Sequence, residues 1–198
     1  MENQQLMTIE QLEQILLDYR CENNFTASDM DALKSDDVDS ILPLFLPVDS
    51  EAYYGIAGTA VRTLMRLVDT GLYPDKAYIM QKTEDENGAL QKVEGEKGFV
   101  SALGGKGNAL QFTASVFGQE EFVSVDEDAL DAIGELLNCI NGLYVSECKD
   151  GSSLELMPPS FKTGIQGFES RKMLVLPIHI KNDCVDLMIA IGDEIEMK

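Results

Sequence analysis

The stretch "DEDALDAIGELLNCINGLY", residues 126–144, places Asp131, Glu135 and Asn138 within about two turns of one another if it is helical. These side chains could do chemistry. The carboxamide of Asn138 offers both a donor and an acceptor, so it can orient a water molecule without a shifted pKa. The Glu135 carboxylate can make a charge-assisted contact to a cationic group. At about 100° per residue, Asp128, Asp131, Glu135, Asn138 and Gly142 fall in a stripe less than about a quarter turn wide. Glu135 and Asn138 are three apart, hence side-chain neighbours. Gly142 extends the stripe with no side chain and lets another surface approach. Leu130, Ile133, Leu137, Ile140 and Tyr144 fall together on the other side. Ala132, Leu136, Cys139 and Leu143 lie beside them, giving a wide core-facing band. The same pattern also describes an amphipathic helix whose polar face is simply wet, and spacing alone leaves both readings open.

Other candidates are weaker. His179, the only histidine, sits in an alternating run and reads as a half-buried sheet residue. "GGKGN" at 104–108 does not match a phosphate-binding P-loop and reads as a hairpin turn. Cys21, Cys139, Cys148 and Cys184 form no C-x-x-C pair and read as reduced packing residues. No zinc-like spacing appears, so no metal or cofactor of the protein's own is expected.

The elements that must position the stripe follow from the hydrophobic pattern. A chain of 198 residues fits one domain, or one domain with an extension. Residues 1–49 read as a helical N-terminal extension. "TIEQLEQILLDY" opens with a Thr8/Gln11 capping box, a short helix is expected at "TASDMDAL", and "ILPLFLP" reads as an extended connector between prolines. Residues 50–198 form the main domain. "SEAYYGIAGTAVRTLMRLVDTG" reads as a helix ending at Gly71, followed by strands "KAYIMQKT", "KGFVSALG" and "ALQFTASVF" with turns "EDENG" and "GGKGN". The second helix, roughly 125–144, starts at a Ser124/Glu127 capping box. Strands "SLELM", "KMLVLPIHIK" and "CVDLMIAIGD" follow, the last two joined by "ND". Pro177 implies an edge strand or a bulge. Both helices run into "G-L-Y", at Gly71–Tyr73 and Gly142–Tyr144. The expected fold is α+β: duplicated helix-plus-three-strand units in a largely antiparallel sheet, with two long helices packed on it.

Charge narrows the function. Thirty-five acidic residues against 15 basic ones give a net charge of −20, which argues against nucleic acid or an anionic membrane as partner. No apolar run approaches the ~20 residues of a membrane span. The acidic, polar "MENQQLMTIEQLEQ" is unlike a signal peptide. A cytoplasmic protein is expected.

Asp131-x3-Glu135-x2-Asn138 resembles the signature of the CheC/CheX/FliY chemotaxis phosphatases: Asp or Ser, then Glu, then Asn on a long helix. "DAIGELLNCING" is similar to the CheX helix, "LELMPPSFKTG" to the family's proline-containing loop, and "MLVLPIHIKNDCVDLMIAIGDE" to its closing hairpin. Pro158 and Pro159 fall slightly closer to Asn138 than that family's usual proline. Aligning the "GLY" ends puts Ala60, Leu64 and Leu67 opposite Asp131, Glu135 and Asn138, so one site per chain is implied. The resemblance implies a phosphatase acting on the phosphoaspartate of a CheY-like response regulator, which supplies its own Mg²⁺. It implies catalytic roles for Asn138, aligning the attacking water, and for Glu135, pairing with the regulator's lysine, with Asp131 in support. It also suggests a homodimer. Two alternatives stand beside it: an adaptor that binds a regulator or another signalling protein without turning it over, and a part of a flagellar or secretion assembly.

Overall fold

A computed structural model of the chain describes residues 27–35, 37–46, 50–84, 87–106, 108–148 and 153–198. The helix expected at "TIEQLEQILLDY" lies outside them. Ala27–Lys34 forms α1 and Val38–Ile41 forms α2, whose Ser40 N–H is capped by the Asp37 carboxylate at 3.1 Å. The connector expected to be extended instead makes a 3-10 turn at Leu42–Leu44. Pro43 sits at the start of that turn, where its missing N–H costs nothing. The turn buries Leu42, Leu44, Phe45 and Leu46, and this burial outweighs the extended bias that proline puts on its predecessor.

After a second 3-10 turn at Glu51–Tyr53 come α3 (Tyr54–Leu67), β1 (Tyr73–Pro74), β2 (Tyr78–Lys82), β3 (Asn87–Glu94) and β4 (Phe99–Gly105). Then follow α4 (Asn108–Gly118), α5 (Glu127–Glu147), β5 (Glu155–Leu156), β6 (Ser160–Phe161), β7 (Phe168–Ile180), β8 (Asp183–Ile191) and β9 (Glu196–Met197). The fold is α+β, and the strands pair antiparallel in one sheet. Its spine runs β7-β8-β4-β3; β1, β2 and β9 pair with β7, and β5 and β6 pair with β3. The order is symmetric about the β8/β4 pair. Each half of the chain supplies an outer strand to the other half: β2 to β7, and β5 and β6 to β3.

Period-2 alternation builds a core on each face of the sheet. Leu103, Leu174, Leu176, Leu187 and Ile189 point to the helices. Val100, Ala102, Val175, Met188 and Ala190 point to the other side, which Ile165, Phe168 and Ile195 help cover.

Several sequence expectations are corrected. "ALQFTASVF" is a helix, not a strand. Its aromatic and β-branched content reads as strand, but Ala109, Leu110, Thr113 and Ala114 are buried at helical spacing. The Asp183 carboxylate accepts the Asn108 and Ala109 N–H groups at 2.7 and 3.3 Å, satisfying orphan donors of that helix. "GGKGN" therefore joins β4 to α4 and is not a hairpin turn. The missing third strand of the first half is β3, which runs through residues not read as a strand. Pro177 lies in an interior strand. Its carbonyl accepts Asp75 N–H at 2.8 Å, so its nitrogen faces the gap between β1 and β2 and no bond to β8 is lost. The β7–β8 turn is Lys181-Asn182, with Lys181 at φ 60°, one residue before the expected "ND". The two "GLY" triplets are not equivalent: the first lies beyond the end of α3, the second inside α5.

Candidate functional site

α5 starts at Asp126, not at the expected Ser124/Glu127 box. The Asp126 carboxylate accepts Ala129 N–H at 3.1 Å, and Ser124 Oγ donates to the same carboxylate at 3.3 Å. Glu127 and Asp128 in the first turn complement the positive end of the helix dipole. The buried face consists of Ala129, Leu130, Ile133, Gly134, Leu136, Leu137, Ile140 and Asn141. That band is rotated from the sequence reading: Cys139 is exposed and Leu143 is 43% exposed, whereas Asn141 is wholly buried.

Asp131 and Glu135 are exposed, one turn apart. Asn138 is half-buried, at the seam between α5 and the segment 155–161. Gly134, Asn138 and Gly142 form one row, four residues apart, along which that segment runs. A Cβ at Gly134 would stand 3.4 Å from Pro159, and one at Gly142 would stand 3.9 Å from Leu156. The surface that Gly142 admits is thus the chain's own β5. Pro159 packs against Gly134, the residue before Glu135 in sequence.

Asn138 is held from within. Its Oδ1 accepts Gln91 Nε2 at 2.7 Å. Gln91 comes from β3 and is fully buried. The same Nε2 donates to the Met157 carbonyl at 2.8 Å, and Gln91 Oε1 accepts Asn141 Nδ2 at 2.7 Å. Asn141 also pairs with Ser101 Oγ, at 2.9 and 3.0 Å, and Ser101 is the direct cross-strand neighbour of Gln91. Sequence reasoning missed Gln91, Ser101 and Asn141. Ala89, Gln91 and Val93 alternate with Leu90, Lys92 and Glu94, which is a strand signal with a polar residue in an inward slot.

The remaining candidates lie apart. His179 is half-buried in β7, as expected, bonded to Asp75 at 2.8 Å and stacked on Tyr73. Burial, then the neighbouring Asp186, pushes the Cys184 thiol up to about 12. Burial, then the Glu135 carboxylate, raises the Cys139 thiol. Cys139 is a surface residue, contrary to its reading as packing. Beside it α3 and α5 form a groove that includes Arg62, Arg66, Leu67 and Leu143. Among the described residues no helix is long and apolar enough to cross a membrane, and no cluster of three His, Cys, Asp or Glu could hold a metal.

Residues 88–179 match the model of the family described as Chemotaxis phosphatase CheX. No curated protein matches the chain in sequence. Among solved structures, a chemotaxis protein CheX from Desulfovibrio desulfuricans is 14% identical, with TM-score 0.60 over 72% of this chain and 99% of that one. CheX from Borrelia burgdorferi, solved as a CheX–CheY–BeF3–Mg²⁺ complex, is 17% identical, with TM-score 0.54 over 71% and 97%. FliY from Thermotoga maritima is 14% identical, with TM-score 0.51 over 72% and 87%. At these identities the structural likeness establishes the fold.

Proposed function

We propose that this chain is a CheX-like member of the CheC/CheX/FliY chemotaxis phosphatase family, a reading supported by the CheX model matched over residues 88–179, and that it hydrolyses the phosphoaspartate of a CheY-like response regulator in the cytoplasm. The observation that carries this reading is the pairing on α5 of an exposed Glu135 with an Asn138 whose amide is anchored at the surface. In the reaction, water oxygen bonds to phosphorus and the aspartate carboxylate leaves with the electron pair of the P–O bond. The water's proton ends on phosphate or solvent. An acyl phosphate already has a good leaving group, so positioning the water is the main thing left to supply. Asn138 needs no particular protonation state for that task. Glu135, exposed one turn from Asp131, meets a cationic side chain of the regulator in this reading. The Borrelia burgdorferi complex contains Mg²⁺ together with CheY, and we take the metal to arrive with the regulator here too.

The test is a phosphate-release time course for regulators phosphorylated in vitro, with and without this protein, beside a binding titration. Accelerated release supports the reading. Binding with an unchanged decay rate would establish an adaptor instead.

A further inference from the structure

Asn138 has two ends, and the structure distinguishes them. A backbone carbonyl can only accept, so the Met157 carbonyl requires the NH2 end of Gln91 to face it. The second hydrogen of that NH2 points at Asn138, which must answer with oxygen. At the other end of Gln91, Oε1 is met by the Asn141 NH2, which is in turn held by Ser101. Turning the Asn138 amide over would set two NH2 groups against each other at 2.7 Å. One lost bond and a donor stranded at the fully buried Gln91 oppose that flip.

We propose that Gln91 is a positioning residue that fixes the polarity of the Asn138 amide, holding Oδ1 toward the sheet and Nδ2 toward the partner. The inference rests on the reading of Asn138 as the water-aligning group. It adds that only one of the amide's two orientations is productive, and that β3 selects it. Without this support the amide of a surface asparagine turns over freely, because its two ends are nearly equal in shape. The Met157 carbonyl immediately precedes Pro158-Pro159, so the proline loop reaches Asn138 through Gln91 and sets its direction.

Polarity can be read in the wild-type protein without any substitution. A through-hydrogen-bond NMR coupling is expected from Gln91 ¹⁵Nε2 to Asn138 ¹³Cγ. The opposite coupling, from Asn138 ¹⁵Nδ2 to Gln91 ¹³Cδ, would overturn the proposal. Two variants then test its consequence. Gln91→Glu keeps the shape but has no donor when ionised, so Asn138 turns its NH2 inward. Gln91→Met keeps the volume and leaves Asn138 unanchored. For both, kcat for regulator dephosphorylation should fall about tenfold or more while KM stays within about twofold, since a misdirected group costs the reaction step and not docking. In Gln91→Glu, the Asn138 side-chain NH2 should also exchange with solvent more slowly than in wild type. If Gln91→Glu fails to fold, Gln91→Met and the wild-type coupling decide. Folded variants with unchanged kcat, or with kcat and KM changed in parallel and no change in Asn138 exchange, would reject the proposal. Should the wild-type protein accelerate no regulator's decay, the enzyme reading fails. The coupling still decides the polarity on its own.

Discussion

The two long helices invite comparison. α3 and α5 pack on each other, and their burial agrees at six positions: Ile56, Ala57, Ala60, Val61, Thr63 and Leu64 in one match Ala129, Leu130, Ile133, Gly134, Leu136 and Leu137 in the other, while Gly58 is buried where Asp131 is exposed and Leu67 is exposed where Ile140 is buried. In that register Arg62 stands where α5 has Glu135, and Met65 where α5 has Asn138. This replaces the alignment through the "GLY" triplets, which set the buried Ala60 and Leu64 against the exposed Asp131 and Glu135. Arg62 is engaged within the chain, by Asp39 and by Glu147 of α5 at 3.8 Å. Glu135 is exposed. The sheet beneath differs as well. Inward positions of β3 and β4 include Gln91 and Ser101, whereas those of β7 and β8 are Leu174, Leu176, Ile178, Val185, Leu187 and Ile189. The two halves share a frame, but only one has a polar layer under its helix. A site of this kind needs support in the sheet as well as residues on the surface.

That contrast can be broken at several points. Asn138→Ala should abolish the acceleration of regulator decay while binding persists, because only the reaction step loses a contact; a release assay with a parallel titration checks it. On the other helix, Leu64→Ala empties a fully buried position and should cost about 2–5 kcal/mol of stability. Chemical denaturation should detect that loss, and the rate per folded molecule should not change. Glu135→Ala should weaken regulator binding about tenfold or more, the scale of one hydrogen bond to a charged group. Asp131→Ala should change the same titration by about twofold or less, as expected for an exposed carboxylate acting in support. The smallest effect sharpens the comparison most. Grafting Arg62→Glu and Met65→Asn onto α3 in an Asn138→Ala background should restore no activity, since no amide waits beneath. Recovered phosphate release would show that the polar layer is dispensable.

The sequence made α5, the β7–β8 hairpin and the acidic stripe readable, because each is a long run with one dominant period. It concealed β3 and α4 for opposite reasons. β3 hides because Gln91 occupies an inward slot where alternation calls for an apolar side chain. α4 hides because Phe112, Thr113, Val116 and Phe117 favour strands when taken singly, while the burial that makes a helix of them comes from neighbours distant in sequence. The wet-face reading of the stripe was half right. Asp131 and Glu135 are on that face, but Asn138 turns toward Gln91, 47 residues away, a contact no local pattern encodes. Asn141 was missed for the same reason: its partners are on two strands it does not adjoin in sequence.

The exchange of outer strands between the halves has a consequence for how the chain reaches this structure. β2 finds β7 across nearly the length of the domain, with Tyr78 opposite Val175, and β3 finds β6 with Ala89 opposite Phe161. Such pairings close long loops before they return any stabilisation, so folding should be slow for a domain of this size. Neither half has a complete sheet alone. A chain cut in the link between α4 and α5 should yield two fragments that are disordered apart and regain structure when mixed, and the candidate site, with its helix from one fragment and Gln91 from the other, should reappear only on reassociation.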